Sequence, residues 1–388
     1  MKQPIKIFLL ILIVCAVFGG ALWGNSVLKD RRNGGDDAGQ TAFMDDTGRG
    51  TEDPDSLTIV LTGNLFCDRR YQKRVQNSGG GFDFAGTLEY VEPILKGADL
   101  AVGNLETSIS RSNPYSMDLK GEDRKTLSNA PVSYLEALKN AGFNCLMLSS
   151  ARNCDFGRTG IEETLKEVNK RGFYHTGLYD SAKDDHFVIF EKKGFKIALL
   201  SYTGEFNDSV DKLSYEEQEY MLSRLDTGTV IDDIAEAKKA GAEYVIVYVD
   251  KGPKMGTEVT DSQKETLRTL SAAGADYVIG ANGYRLQRPG SIKRNGVRVR
   301  CVYSLGSFTG YRENKSTRET AILRLKISRN EDGSIKVGKG KFIPCYMSSN
   351  WRGKNCVLIP EGTECGESSR IMLEEHYENI RKSLNLDK

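Results

Sequence analysis

Four times this chain runs the same short phrase, and that repetition constrains its fold more than any other feature. Lys96-Gly97-Ala98-Asp99 leads into the apolar stretch 100–103, and Asn140-Ala141-Gly142-Phe143-Asn144 leads into 145–148. Ala240-Gly241-Ala242-Glu243 leads into 244–249, and Ala273-Gly274-Ala275-Asp276 leads into 277–279. Each phrase places a glycine where a helix ends in a left-handed cap, followed two residues later by a β-branched or aliphatic strand. The preceding segments carry helical spacing: Leu135, Leu138 and Ala141 share one face, as do Leu267, Leu270 and Ala273. Strands such as 244–249 are apolar on both faces, which requires a covering layer on each side. Lys193-Gly194, Asn295-Gly296 and Asp332-Gly333 are hairpin turns that add antiparallel strands. The expected class is therefore α/β, a layered domain over residues 57–388 that includes the C-terminal strands and a last helix near 368–385.

The N-terminus reads differently. Lys2 and Lys6 precede an uncharged apolar run, residues 7–23, which is about long enough to span a bilayer. Residues 1–6 then stay in the cytoplasm and the remainder faces outward. A cleaved signal peptide is the competing reading, because Gly19-Gly20-Ala21 offers small residues near the end of the run. Residues 24–56 have the Gly, Asp and Thr content of a flexible linker. The expected location is the cell membrane, single-pass, with the C-terminal domain extracellular. A net charge of +1 with scattered basic residues argues against nucleic acid. Cys345, Cys356 and Cys365 either supply one disulfide or remain free thiols.

In α/β sheets ligands bind beyond the carboxyl ends of the strands. Those positions here are Asn64, then Asn104 and Glu106, then Arg152 to Asp155, then Asp250 and Lys251, then Asn282, Tyr284 and Arg285. No histidine is among them: His175, His186 and His376 all lie elsewhere. A histidine-activated serine nucleophile is thereby excluded at Ser149, Ser150 and Ser304. Gly79-Gly80-Gly81 lacks the Lys and Ser/Thr of a phosphate loop.

Gly63-Asn64, Gly103-Asn104-Leu105-Glu106-Thr107, Asp155-Phe156-Gly157, Gly280 with Leu286-Gln287, and Ser304-Leu305-Gly306-Ser307-Phe308 occur in order. Together they resemble the motifs of the CapA-type poly-γ-glutamate capsule biosynthesis proteins, within the calcineurin-like metallophosphoesterase superfamily. The resemblance implies an α-β-β-α sandwich and a role in making an anionic surface polymer. This chain departs from the family pattern at its metal ligands. Asn64 stands for an aspartate, Ser150-Ala151-Arg152 for Asn-Asn-His, Asp250-Lys251-Gly252 for His-Trp-Gly, and Gly280-Ala281-Asn282-Gly283-Tyr284 for a histidine-rich run.

A two-metal hydrolase needs several imidazoles and carboxylates around its cations. What remains as candidate catalytic or weak metal-ligand positions is Asn64, Glu106, Asp155 and Asp250. Such an oxygen set suits Mg²⁺ or Mn²⁺ rather than Zn²⁺. Arg152, Lys251 and Arg285 suggest instead that cations hold an anion directly, with Asn64, Asn104, Asn282, Tyr284 and Ser307 lining the cleft. Pairing of these cations with Asp155, Asp250 and Glu106 in a closed salt-bridge network is the structural alternative. The expected function is a scaffold or binding protein for a polyglutamate-like polymer or the membrane machinery that makes it, with no cofactor. The alternative is a metal-dependent phosphoesterase or γ-glutamyl amide hydrolase. A cell-envelope interaction protein with a vestigial cleft is a third reading.

Overall fold

The first strand, β1 (Ser56–Leu65), alternates between two cores up to Leu61, and that alternation builds the molecule. Leu57, Ile59 and Leu61 point into one apolar cluster while Val60 points into another. Beside it lie β2 (Leu100–Leu105), β3 (Cys145–Met147) and β4 (Tyr174–Thr176), each parallel to the last. The chain then lays down β5 (Phe187–Lys192), β6 (Phe195–Thr203), β7 (Tyr244–Asp250), β8 (Tyr277–Gly280), β9 (Leu286–Arg294) and β10 (Val297–Leu305) as a second sheet, in the order β5-β6-β7-β8-β10-β9. It returns to the first sheet with β11 (Ser307–Thr309), β12 (Glu319–Arg329), β13 (Ile335–Val337), β14 (Lys341–Ser348) and β15 (Val357–Pro360). The structure, a computed structural model, describes residues 55–386 apart from Asn282.

The two sheets face each other. Leu57, Ile59 and Leu61 of β1 share a core with Ile197 and Leu199 of β6 and Ile246 and Tyr248 of β7. Outside the first sheet, Val60, Ala101 and Leu146 pack with Leu135, Leu138, Ile161 and Leu165 from the helices Val132–Ala141 and Gly157–Lys170. Outside the second, Ala198, Leu200, Val245 and Val247 pack with Ile234, Leu267 and Leu270 from the helices Thr227–Lys239 and Asp261–Ala273. The order of layers is helix, sheet, sheet, helix. Each fully buried aliphatic side chain in these clusters contributes about 1.5–3 kcal/mol. The helix Glu367–Leu384 adds Leu373, Tyr377 and Ile380 to the inter-sheet core. All described residues belong to one compact unit, Asp45–Lys388.

Three of the four repeated joints cap their helices as the sequence suggests. Gly142, Gly241 and Gly274 have φ of 114, 97 and 118°, which glycine adopts without strain. At Gly142 a Cβ would also meet the Lys96 nitrogen at 2.8 Å, so the cap doubles as a contact with the preceding helix. Gly97 differs from the expectation: its φ is −75°, and its N–H bonds Pro93 O at 3.1 Å in a right-handed turn. The short helix Glu92–Lys96 needs no reversal there, because Asp99 anchors the chain by accepting from Thr58 N at 2.9 Å. The hairpins at Lys193-Gly194 and Asn295-Gly296 have positive φ at both residues, as two-residue turns between twisted strands require. Cys345, Cys356 and Cys365 are free thiols. Among the described residues no helix is long and apolar enough to cross a membrane, and residues 7–23 lie outside them.

Candidate functional site

The site begins where β1 runs past its regular pairing. Its register with β2 shifts between Leu61 and Asn64, and Asn64 comes to rest beside Asn104 of β2 and Ser307 of β11. Glycine is needed at the preceding position, since a Cβ on Gly63 would sit 1.9 Å from Gly306 O. The Asn64 N–H donates to that carbonyl at 3.1 Å. From here a chain of buried side-chain hydrogen bonds crosses from one sheet to the other. Asn104 Nδ2 donates to Asn64 Oδ1 (3.2 Å), Asn64 Nδ2 to Glu106 Oε2 (3.0 Å), and Tyr284 Oη to Glu106 Oε1 (3.0 Å). A second stitch runs from the Ala151 N–H to Asp250 Oδ2 at 2.9 Å. Asp155 is fully buried and accepts from the Ser128 N–H (2.6 Å) and from Asn207 Nδ2.

Burial governs the charges of this floor. Desolvation pushes the Asp155 carboxyl up to about 7, against the pull of Arg152, Asn207 and Ser128. Glu106 and Asp250 are raised by the same cause; the charge on Glu106 adds to the rise at Asp250, and Arg152, Tyr284 and Arg312 oppose it at Glu106.

These residues do not fit a two-metal centre. The Glu106 oxygens accept from Asn64 and Tyr284, the Asp155 oxygens accept from Ser128 and Asn207, and Arg152 Nη1 lies 3.6 Å from Asp155 Oδ2. A guanidinium so close to the Asp155 carboxylate repels any further cation there. Among the described residues no three His, Cys, Asp or Glu side chains come together to hold an ion. The described histidines serve elsewhere: His376 stacks on Tyr346 and bonds Glu319, His186 faces Asp233, and His175 bonds Asn169.

Next to the floor opens a cleft of about 520 Å³ whose wall is cationic: Arg69, Arg70, Arg124, Lys125, Arg152 and Arg312 line it. Its one lining acid, Asp68, is spent on the chain, capping the helix Arg69–Val75 and accepting from the Tyr311 N–H at 2.7 Å. The innermost cations are braced by neutral groups, to which Arg152 adds its pair with Asp155. Arg69 donates to Met117 O (2.8 Å) and Leu119 O (3.1 Å), and Arg152 donates to Thr126 O. Arg312 lies on the Tyr284 ring, 3.7 Å from its centroid.

Arg152 is the sequence-derived cation that lines this cleft; Lys251 and Arg285 do not. Lys251 follows β7 on the side facing the helix Asp261–Ala273, where it lines a small separate pocket with Gln263, Leu267 and Tyr303. Position after a strand end groups Lys251 and Arg285 with Arg152, but the chain turns Lys251 toward the outer layer. Of the closed salt-bridge network one pair forms, Arg152 with Asp155 at 3.6 Å; Asp250 is met by the Ala151 N–H and Thr203 Oγ1, and Glu106 by Asn64 and Tyr284. Ser307 is buried beside Asn64, and Asn282 lies outside the described residues. Sequence reasoning missed Arg69, Arg70, Arg124, Lys125 and Arg312. The signal available was Asp68-Arg69-Arg70 directly after β1, an adjacent basic pair at the carboxyl end of a central strand.

Comparison with known proteins places this geometry. The capsule biosynthesis protein CapA of Bacillus anthracis is 24% identical over 291 residues, 73% of this chain and 67% of that protein. The PGA biosynthesis protein CapA of Bacillus subtilis is 27% identical over 289 residues, 74% of this chain and 72% of that one. Among solved structures, the calcineurin-like phosphoesterase YfkN from Bacillus subtilis overlaps with a TM-score of 0.44 at 13% identity, covering 84% of this chain and 99% of that chain. The NAD nucleotidase of Haemophilus influenzae overlaps with a TM-score of 0.46 at 12% identity, covering 85% and 56%. These structural overlaps are too loose to carry any chemistry. A model of the family described as bacterial capsule synthesis protein PGA_cap matches residues 58–311, and the chain belongs to that family.

Proposed function

We propose that this chain serves the biosynthesis of an anionic capsule or surface polymer of the poly-γ-glutamate type, by binding the polymer or its membrane machinery rather than by hydrolysis. In this reading residues 7–23 anchor it in the membrane and the sandwich works outside the cell. Membership of the capsule synthesis family supports the polymer class, and the lysines before an apolar run support the anchor. The observation that carries the reading is the cleft beside Glu106, in which Arg69 and Arg312 are braced by carbonyls and a ring and Arg152 by Thr126 O and its pair with Asp155, so that six cations and a single acid among the described residues face an open volume. Arginine edges match carboxylates in bidentate geometry.

The test uses the full-length protein in detergent with fluorescently labelled poly-γ-glutamate. Binding is expected to be unchanged by EDTA and to weaken several-fold as salt rises, since exposed charges are screened. Loss of binding in EDTA, or polymer shortening with added Mn²⁺, overturns the reading in favour of the hydrolase.

A further inference from the structure

Phe66 and Tyr284 stack with ring centroids 6.3 Å apart and planes 21° from parallel. Two guanidiniums rest on this pair. Arg152 lies 5.5 Å from the Phe66 centroid, while Arg312 lies 5.7 Å from the same centroid and 3.7 Å from that of Tyr284. A guanidinium held by its face against a ring keeps its N–H edge for another partner. Arg152 has spent Nη1 on Thr126 O and on its pair with Asp155, and its Nε has no hydrogen-bond partner among the described residues. Two like charges on one ring repel, and an anion between them relieves that repulsion. The cleft is also much larger than one carboxylate needs. Further cations, Arg70, Arg124 and Lys125, line it from two other segments, the helices Arg69–Val75 and Asp123–Thr126, where they are exposed; Arg70 and Lys125 make only exposed pairs there, with Glu313 and Glu122, which a polyanion can exchange.

We infer that the cleft is a two-point clamp for a linear polycarboxylate, in which Arg152 and Arg312 grip one carboxylate over the Phe66–Tyr284 pair and Arg70, Arg124 and Lys125 engage carboxylates further along the same chain. The inference rests on the function proposed above for the identity of the anion and on the aromatic-backed arginines for the clamp. A second point of attachment on one ligand acts at high effective concentration, so affinity depends on chain length.

The experiment titrates the full-length protein with γ-linked glutamate oligomers of increasing length, from a single residue to an octamer, and with a linear oligophosphate, by competition against labelled polymer. Octamer affinity is expected to exceed dimer affinity by more than about tenfold, and Arg312→Gln is expected to lose about tenfold on the octamer and flatten the length series. Arg288→Gln, on exposed β9, stays within about twofold, a change of under 1 kcal/mol. Arg152→Gln tests the same point, but its tie to Thr126 gives it a share in folding, so its thermal midpoint is read alongside and Arg312→Gln decides. A protein that binds the polymer equally well with Arg312→Gln, or that shows no length dependence, overturns the clamp and leaves the polymer-binding function standing. A wild-type protein that binds the oligophosphate and no glutamate oligomer overturns both.

Discussion

The floor built from Asn64, Asn104, Glu106 and Tyr284 and the cleft lined by Arg69, Arg152 and Arg312 meet at the contact between Tyr284 and Arg312, yet their charges are handled in opposite ways. In the floor the chain satisfies its own acids: each carboxylate is buried and accepts from amides, a phenol or backbone N–H groups. In the cleft Arg69 and Arg312 are fixed in place by carbonyls and rings that carry no net charge, while Arg152 also pairs with Asp155 at its inner edge. A buried carboxylate satisfied by neutral donors is a structural element with little left to offer a cation. A braced guanidinium in no ion pair among the described residues, as at Arg69 and Arg312, has its electrostatic partner still to come. The comparison thus moves the receptive part of the site away from the positions where family ligands would stand, into the cleft beside them.

The strongest way to break that comparison is Glu106→Ala. It leaves Asn64 Nδ2 and Tyr284 Oη without their acceptor, and two buried donors so stranded cost roughly 2–5 kcal/mol. The expected outcome is a large drop in the urea midpoint with polymer affinity kept or improved, because a buried acid whose charge acts on Arg152 and Arg312 is gone. Lost binding with an unchanged midpoint would make Glu106 part of the receptive surface and erase the distinction between floor and cleft.

A smaller effect comes from pH. The folded-state pKa of Asp155, about 7, stands above the roughly 3.9 of an unfolded aspartate. Between those values the folded protein holds a proton that the unfolded chain has released, so this group's contribution to stability declines as pH rises from about 4 to 7 and then levels off. Glu106 and Asp250 are shifted in the same direction. Denaturation midpoints should fall between pH 5 and pH 8, and Asp155→Asn, which keeps an oxygen for the Ser128 N–H, should shrink the fall. A midpoint that rises over that range in wild type and is flattened by Asp155→Asn would mean that Arg152 outweighs burial. Asp155 would then belong with the cations.

Much of the scaffold was legible because it depends on local chemistry. The glycine joints at 142, 241 and 274, the two-residue hairpins and the doubly apolar β7 each report on the few residues that form them. Gly97 was misread because a five-residue helix can end without reversal when an acid further on anchors the chain. The floor was legible for a related reason: Asn64, Asn104 and Asp250 lie in the last residues of their strands and Asp155 in the loop after β3, and strand order brings those ends together. The cleft was not, since its wall draws on the helix after β1, a four-residue turn at Asp123–Thr126 and the segment after β11, which share no periodicity. A cation's bracing by a ring distant in sequence, as with Arg312 and Tyr284, leaves no mark in the spacing of either.

Lys251 and Arg285 therefore give the smallest expected effect and the sharpest test of where the boundary lies. Both follow strand ends, both are cationic, and position in the sequence alone ranks them beside Arg152. The structure turns Lys251 toward the pocket shared with Gln263 and Tyr303 and leaves Arg285 off the cleft wall. Charge felt through water across a Debye length of about 8 Å at physiological salt is weak, so neutralising either should change polymer affinity by less than about twofold. Lys251→Gln and Arg285→Gln measured at low and high salt would show this as two curves lying on that of wild type. A loss at Lys251 comparable to that at Arg312 would extend the anion path around the end of β7 onto the outer helical layer, and the floor would then lie within the bound polymer's course instead of beneath it.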